Sequence, residues 1–313
     1  MIMNTGLRVV GCICVSLITT QVVAADMSGW SDKTVCRIVK SGGNSDVNDE
    51  AILRDLECAA SITSIKSYRS TNPSAVNRGI FGKAKRSLNK APHGYTVISD
   101  PTTNAPTKLV EVFEVRPGDC YKNPGVNGWD DCLHDRERSE LTENNSKPNR
   151  HGSDYWYGWS IYFPEDYINI YPTKTALGQF HQKDSDPIWM FHNADRAGGY
   201  KVVGTVGNLL KTKQTLISEE DLRGQWHKIE VHAKWSRSDT GVFQVWVNGE
   251  LKLDYKGRTM TAQETLFKYG VYRSYMVNYK AENKTSEVPA QTVYFSNVKK
   301  GHAREGLAAQ LKD

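Results

Sequence analysis

LFKYGVYRS, residues 266–274, is the stretch on which the reading of the whole chain turns. In a β-strand successive side chains point to opposite faces, so Lys268, Gly270 and Tyr272 share one face while Phe267, Tyr269 and Val271 share the other. The second face suits a core. The first carries an ammonium and a phenol, and the glycine between them is expected to leave room for a bulky chain to lie against the backbone. Two further segments repeat the pattern: Arg136, Arg138 and Glu140 alternate in RERSEL, and Gln179, His181 and Lys183 alternate in GQFHQK. Three such strands in one sheet would gather Arg138, Gln179, His181, Lys268 and Tyr272 on one groove.

The surrounding sequence supports sheets. Short alternating segments are expected at 95–99, 107–115, 136–142, 155–163, 176–182, 188–192, 201–206, 225–235, 241–247, 250–254, 266–273 and 292–298, most of them bounded by Gly, Pro, Asn or Asp. Val247-Asn248-Gly249-Glu250 reads as a hairpin, because Asn-Gly supplies the positive φ angles of a type I′ turn. With no helix read between the strands, an all-β fold of antiparallel sheets packed as a sandwich is predicted. Between Trp226 and Trp235, Ile229, Val231, Ala233 and Trp235 share one face and Lys228, Glu230, His232 and Lys234 the other. His227 and His232 are read as scaffold. Tyr155, Trp156, Tyr157, Trp159, Tyr162 and Phe163 make an aromatic strand with one face for the core and one able to stack on sugar rings.

The chain has 313 residues, 39% hydrophobic and 24% charged, which suits one large globular domain with an appendage and excludes a disordered or fibrous protein. Residues 1–25 have the pattern of a secretory signal, with Arg8, an apolar run from Val9 to Val23, and Val23-Ala24-Ala25 before Asp26. A secreted protein, extracellular or periplasmic, is expected. Residues 26–77 form a helical segment, capped at Ser45 or Asp46, striped by Ile52, Leu53, Leu56 and Ala60, and ended by Asn72-Pro73. The β domain is expected over 78–305 and a tail over 306–313. Four cysteines follow the signal, and in an exported chain their proximity favours the disulfides Cys36–Cys58 and Cys120–Cys132. The formal charge of +5 suits a polyanionic partner, while nucleic acid and membrane are not expected as partners and a monomer is.

RSEL (138–141), QFH (179–181) and FKYGVY (267–272) together resemble, in chain order, the signature strands of the jelly-roll polysaccharide lyases. Alginate lyases of that fold carry R-[ST]-E-L, Q-x-H and YFKAGxY, and the heparin lyase I and glucuronan lyase relatives are similar. The third strand here begins with Leu266 rather than Tyr, has Tyr269 where alginate lyases show Ala, and continues Arg273-Ser274, which places it nearer the latter two. The resemblance implies β-elimination on a uronic-acid polysaccharide, leaving 4,5-unsaturated uronate ends. Removing the C5 proton puts a second negative charge beside a carboxylate, so a site must neutralise that group. Arg138, bidentate, and Gln179 suit this task. His181 suits a base and Tyr272 an acid towards the leaving oxygen, or Tyr272, favoured as phenolate by Lys268, serves as both in turn. Arg136, Glu140, Lys183 and Arg273 are expected at the substrate. No cofactor or catalytic metal is required; a structural calcium ion is conceivable among Asp119, Asp130, Asp131 and Asp135.

Two other readings compete. A glycoside hydrolase needs two carboxylates flanking the bond, and Glu137 and Glu140, at odd spacing, fall on opposite faces. A lectin-like module would use the groove without chemistry.

Overall fold

Alternation of apolar and polar residues favours strands, and the computed structural model has sixteen of them among the residues it describes. It describes residues 68–308, apart from 77, 79, 82–83, 89–90, 121–129, 145–147 and 207–208. The expected signal, the helix after Ser45 and the Cys36–Cys58 bridge lie outside these residues. In chain order the strands are β1 (Arg69–Ser70), β2 (Lys85–Leu88), β3 (Tyr95–Ser99), β4 (Leu109–Val115), β5 (Arg136–Thr142), β6 (Asn149–Arg150), β7 (Asp154–Tyr162) and β8 (Lys174–Gln182). They continue with β9 (Pro187–Asn193), β10 (Tyr200–Val206), β11 (Leu209–Ile217), β12 (Trp226–Lys234), β13 (Val242–Val247), β14 (Glu250–Lys256), β15 (Glu264–Ser274) and β16 (Gln291–Gly301).

They form two antiparallel sheets. The first runs β1-β3-β4-β16-β7-β12-β13-β14; the second runs β11-β10-β9-β8-β15-β5-β2, with β6 paired to β15. The sheets face each other through one aromatic-rich core. Phe267 of β15 lies at its centre, with ring centroids 4.8 Å from Phe180, 5.0 Å from Trp159 and 5.8 Å from Tyr157. Trp189 and Phe243 stack at 3.8 Å from opposite sheets. Burying each such ring contributes roughly 1.5–3 kcal/mol, which is how the inner faces hold the sheets together.

A helix and the strands β1, β2, β6 and β11 depart from the sequence reading, β1 lying within the segment expected to be helical. The helix, α1 (Met276–Asn283), follows β15, anchored by buried Met276, where only strands and turns were expected. Strand β11 was not foreseen either; it is the edge of the second sheet, where strands need little apolar alternation. The Asn248-Gly249 hairpin is as expected, both residues having positive φ, 51° and 89°.

Gly270 does a different job from the one anticipated. Its φ is +128°, and a Cβ there would sit 2.3 Å from the Ser139 carbonyl oxygen and 2.7 Å from the Phe113 ring. The space beside it is therefore filled by protein. What the glycine permits is a bulge: β15 advances from Tyr269 to Tyr272 while β8 advances only from Gly178 to Ala176. Such bulges re-aim the side chains that follow them, here Tyr272.

Candidate active site

The outer face of the second sheet gathers the ionisable residues of three adjacent strands. On β15, Lys268 faces Thr142 of β5 and Gln179 of β8, and Tyr272 faces Arg138 of β5 and Ala176 of β8. His181 stands opposite Leu266, beyond Gln179 on the same face. The phenol and the imidazole thus flank Lys268 and Gln179 on one sheet face, the candidate trough.

Arg138 is the most tightly held of these groups. Its Nε and Nη2 donate to the two carboxylate oxygens of buried Asp131 at 2.5 and 2.6 Å, and its Nη1 reaches Glu140 at 3.3 Å. The guanidinium lies 4.2 Å above the Tyr272 ring, a cation–π contact that fixes the phenol. Burial opposes the charge, but the Asp131 bond and the Glu140 and Asp131 carboxylates raise its pKa above the ordinary value. The bidentate fork of Arg138 is therefore taken by Asp131 and its remaining nitrogen by Glu140. Sequence reading missed this role of Asp131, which it named only among four aspartates for a conceivable calcium ion. The available signal was the disulfide: Cys120 is bonded to Cys132, the neighbour of Asp131, as expected from proximity. The other three aspartates point elsewhere: Asp119 to His93, Asp130 to the Cys132 amide and Asp135 to the Val277 amide. Among the described residues no three His, Cys, Asp or Glu side chains converge as metal ligands.

Glu140 is buried and accepts a hydrogen bond from the Gln179 Nε2 at 2.6 Å, so its carboxylate ties Arg138 to Gln179 rather than facing solvent. Gln179 is 1% exposed, and its Oε1 has no protein partner. Lys268 is pushed below the ordinary lysine range by burial, partly offset by Glu140 and reinforced by Arg138. Burial takes the His181 imidazole down to about 4, and Lys268 pushes the same way. Its Nδ1 lies 2.8 Å from the Gln182 carbonyl oxygen; only an N–H can bond there, so Nε2 carries the lone pair at neutral pH. Tyr272 is raised by burial, with Arg138 opposing, so it is a neutral phenol.

The residues expected at the substrate divide. Arg136 is on the outer face, with its guanidinium 4.0 Å over the Tyr275 ring. Lys183 lies just past the end of β8, exposed and outside the network. Arg273 is a correction: it is 0% exposed on the core side, paired with Glu137, and donates to the Pro289 carbonyl. The two-residue period explains it, since Arg273 shares the parity of Tyr269 and Val271. Glu137, its partner, is thereby removed from any pairing with Glu140.

The constellation is a cation, an amide, an unprotonated imidazole and a neutral phenol around a trough. Its fold is shared with solved enzymes. An endo-β-1,4-glucuronan lyase from Trichoderma reesei superposes with a TM-score of 0.52 at 15% identity, over 78% of this chain and 99% of that one. An alginate lyase from Alteromonas sp. 272 gives 0.45 at 14% identity, over 74% and 98%. An alginate lyase from Pseudomonas aeruginosa gives 0.42 at 19% identity, over 62% and 82%. No curated protein matches the chain. The family model for polysaccharide lyase matches residues 64–299, a span that takes in all three site strands. The chain therefore belongs to the polysaccharide lyase family and is a polysaccharide lyase on a β-sandwich.

Proposed function

We propose that this lyase cleaves a uronic-acid polysaccharide by β-elimination outside the cytoplasm, with His181 as base and Tyr272 as acid. The observation that carries the reading is the protonation asymmetry across one trough: His181 holds a bare Nε2, and Tyr272 holds its proton. A carboxylate of the substrate sits beside the Lys268 ammonium, the Arg138 guanidinium and the Gln179 amide. Neutralised there, its C5–H becomes acidic. His181 Nε2 takes the C5 proton, the C–H electrons form the C4–C5 double bond, and the C4–O bond breaks. The departing oxygen takes the Tyr272 proton; solvent exchange then restores both groups. An imidazole at about 4 is a weak base, but an arriving polyanion offsets the Lys268 charge that helps hold it down. The Cys120–Cys132 disulfide and the signal-like residues 1–25 support an oxidising compartment.

The purified protein is incubated with glucuronan, alginates, pectate, hyaluronan, heparin and heparan sulfate while the ultraviolet absorbance of an unsaturated uronate is followed. An increase on at least one polymer is expected. Reducing ends without absorbance would indicate hydrolysis and end this reading. Tyr272→Phe and His181→Ala are each expected to lower kcat by roughly 10²–10⁴-fold with the fold intact by circular dichroism. Full activity in either removes that residue from the scheme.

A further inference from the structure

Beyond the reacting rows the outer face of the second sheet continues across β9 and β10 into a cleft of about 490 Å³. Lys174, Asp186, Met190, His192 and Val203 are among the residues lining it. One register row runs from Arg138 through Tyr272 and Ala176 to His192 and Lys201. His192 is thus two strands from Tyr272, about 10 Å at the usual strand spacing. Only the Ala176 side chain intervenes in that row, so the trough opens directly into the cleft. In the neighbouring row Lys174, Ser274 and Arg136 stand opposite one another.

Two polar groups in the cleft are unfinished. His192 is 6% exposed, yet its Nδ1 has no hydrogen-bond partner. A buried polar atom of this kind calls for a ligand or a water to complete it. Lys174 takes part in no ion pair among the described residues, whereas nearby Lys201 is bound to Asp195 at 2.6 Å. Met190 and Val203 supply an apolar floor suited to the face of a pyranose. Asp186 is the acid at the rim.

We propose that this cleft is a subsite for the pyranose next to the reacting one, with Lys174 meeting its carboxylate and His192 Nδ1 its hydroxyl. It selects sugars that carry a carboxylate and no sulfate. The selectivity follows from charge: Lys174 balances one carboxylate, while Asp186 at the rim opposes a further sulfate. The inference rests on the lyase reading above. Burial, then Arg136, pushes Lys174 below its ordinary range, and burial takes His192 down to about 4, so an incoming carboxylate relieves the first while the second stays a neutral hydrogen-bonding group.

The test separates this subsite from the chemistry. In the full-length Tyr272→Phe protein, calorimetry measures binding of unsulfated uronate tetrasaccharides, prepared from glucuronan and from alginate, and of a heparin tetrasaccharide. At least one unsulfated ligand is expected to bind, and the heparin ligand more weakly. Adding Lys174→Met should weaken binding about tenfold, the size of one lost charge-assisted contact, and Lys174→Arg should recover most of it. His192→Asn, checked for folding by its thermal transition, should weaken binding less. In the otherwise native enzyme Lys174→Met should raise KM and leave kcat within about twofold, since it removes binding shared by ground and transition states. Unchanged affinity in Lys174→Met, equal or tighter heparin binding, or no binding of either unsulfated ligand overturns the subsite. Absence of unsaturated product from the native enzyme on every polymer overturns the elimination reading instead.

Discussion

The two outer faces of the sandwich are built from strands of the same alternating kind, yet their charges are in opposite condition. On the first sheet, Glu230 is bonded to Arg304 at 2.8 Å and Lys228 at 3.1 Å; burial pushes its pKa up and those cations more than reverse it. Trp156 stacks on His232 at 4.7 Å and on Trp246 at 5.2 Å, with Arg304 4.9 Å above Trp246. Each of these groups is completed by a neighbour. On the second sheet Lys268, His181 and Tyr272 are all driven by burial towards their neutral forms. Groups that folding leaves poised for proton transfer or for a charged ligand are what mark a site, and polarity alone does not.

The comparison can be broken at its strongest point by neutralising one cation on each face. Lys268→Met should lower kcat/KM by about a hundredfold or more, the cost of removing a group that stabilises developing charge. Equal losses from Lys268→Met and Arg304→Met would erase the distinction between the faces. A second effect is in stability. His181 and His192 both have folded pKa values of about 4, below the ordinary 6.5, so the unfolded chain binds more protons between those values. Stability is therefore fully present above pH 6.5 and is lost as pH falls towards 4, by at most about 2 kcal/mol for each histidine between pH 7 and 5. Urea titrations at the two pH values, with His192→Asn as comparison, check the sign. Stability that rises on acidification to pH 5 would contradict the burial of these rings.

Asp131→Asn comes next. It keeps the shape of the Arg138 clamp and removes its charge, and should cost about 2 kcal/mol in unfolding free energy, less than deleting one partner of a buried pair. Its kcat should also fall, because Arg138 holds the Tyr272 ring; an unchanged kcat would show that the clamp is scaffold only. Arg304→Met should be the mildest, under about 1 kcal/mol in stability with turnover unaffected, as expected of a partly exposed ion pair.

Much of this was legible in the chain. Strands such as β5 and β12 declare their faces by period, and each segment predicted as a strand is one, within a few residues at its ends. The errors have identifiable physics. Arg273 was assigned to the substrate by likeness to relatives, although its own parity put it on the core side. Lys183 continues the alternation of Gln179 and His181, but the strand stops at Gln182. The aromatic segment of β7 was offered as a sugar platform; its outward residues Trp156 and Tyr162 belong to the first sheet, away from the trough. The cleft around His192 gave no sequence signal, and Asp131 gave only the disulfide cysteine beside it, since neither shows a spacing relation to the strands it serves.

The chain by itself determined the sandwich and the residue types of the site, because a period of two and a few turn residues suffice to sort core from surface. Tertiary structure alone decided which of the polar groups are paired and which are left poised. Whether an ionisable group is paired or left poised depends on neighbours brought from more than a hundred residues away, as with Tyr272 beneath Arg138.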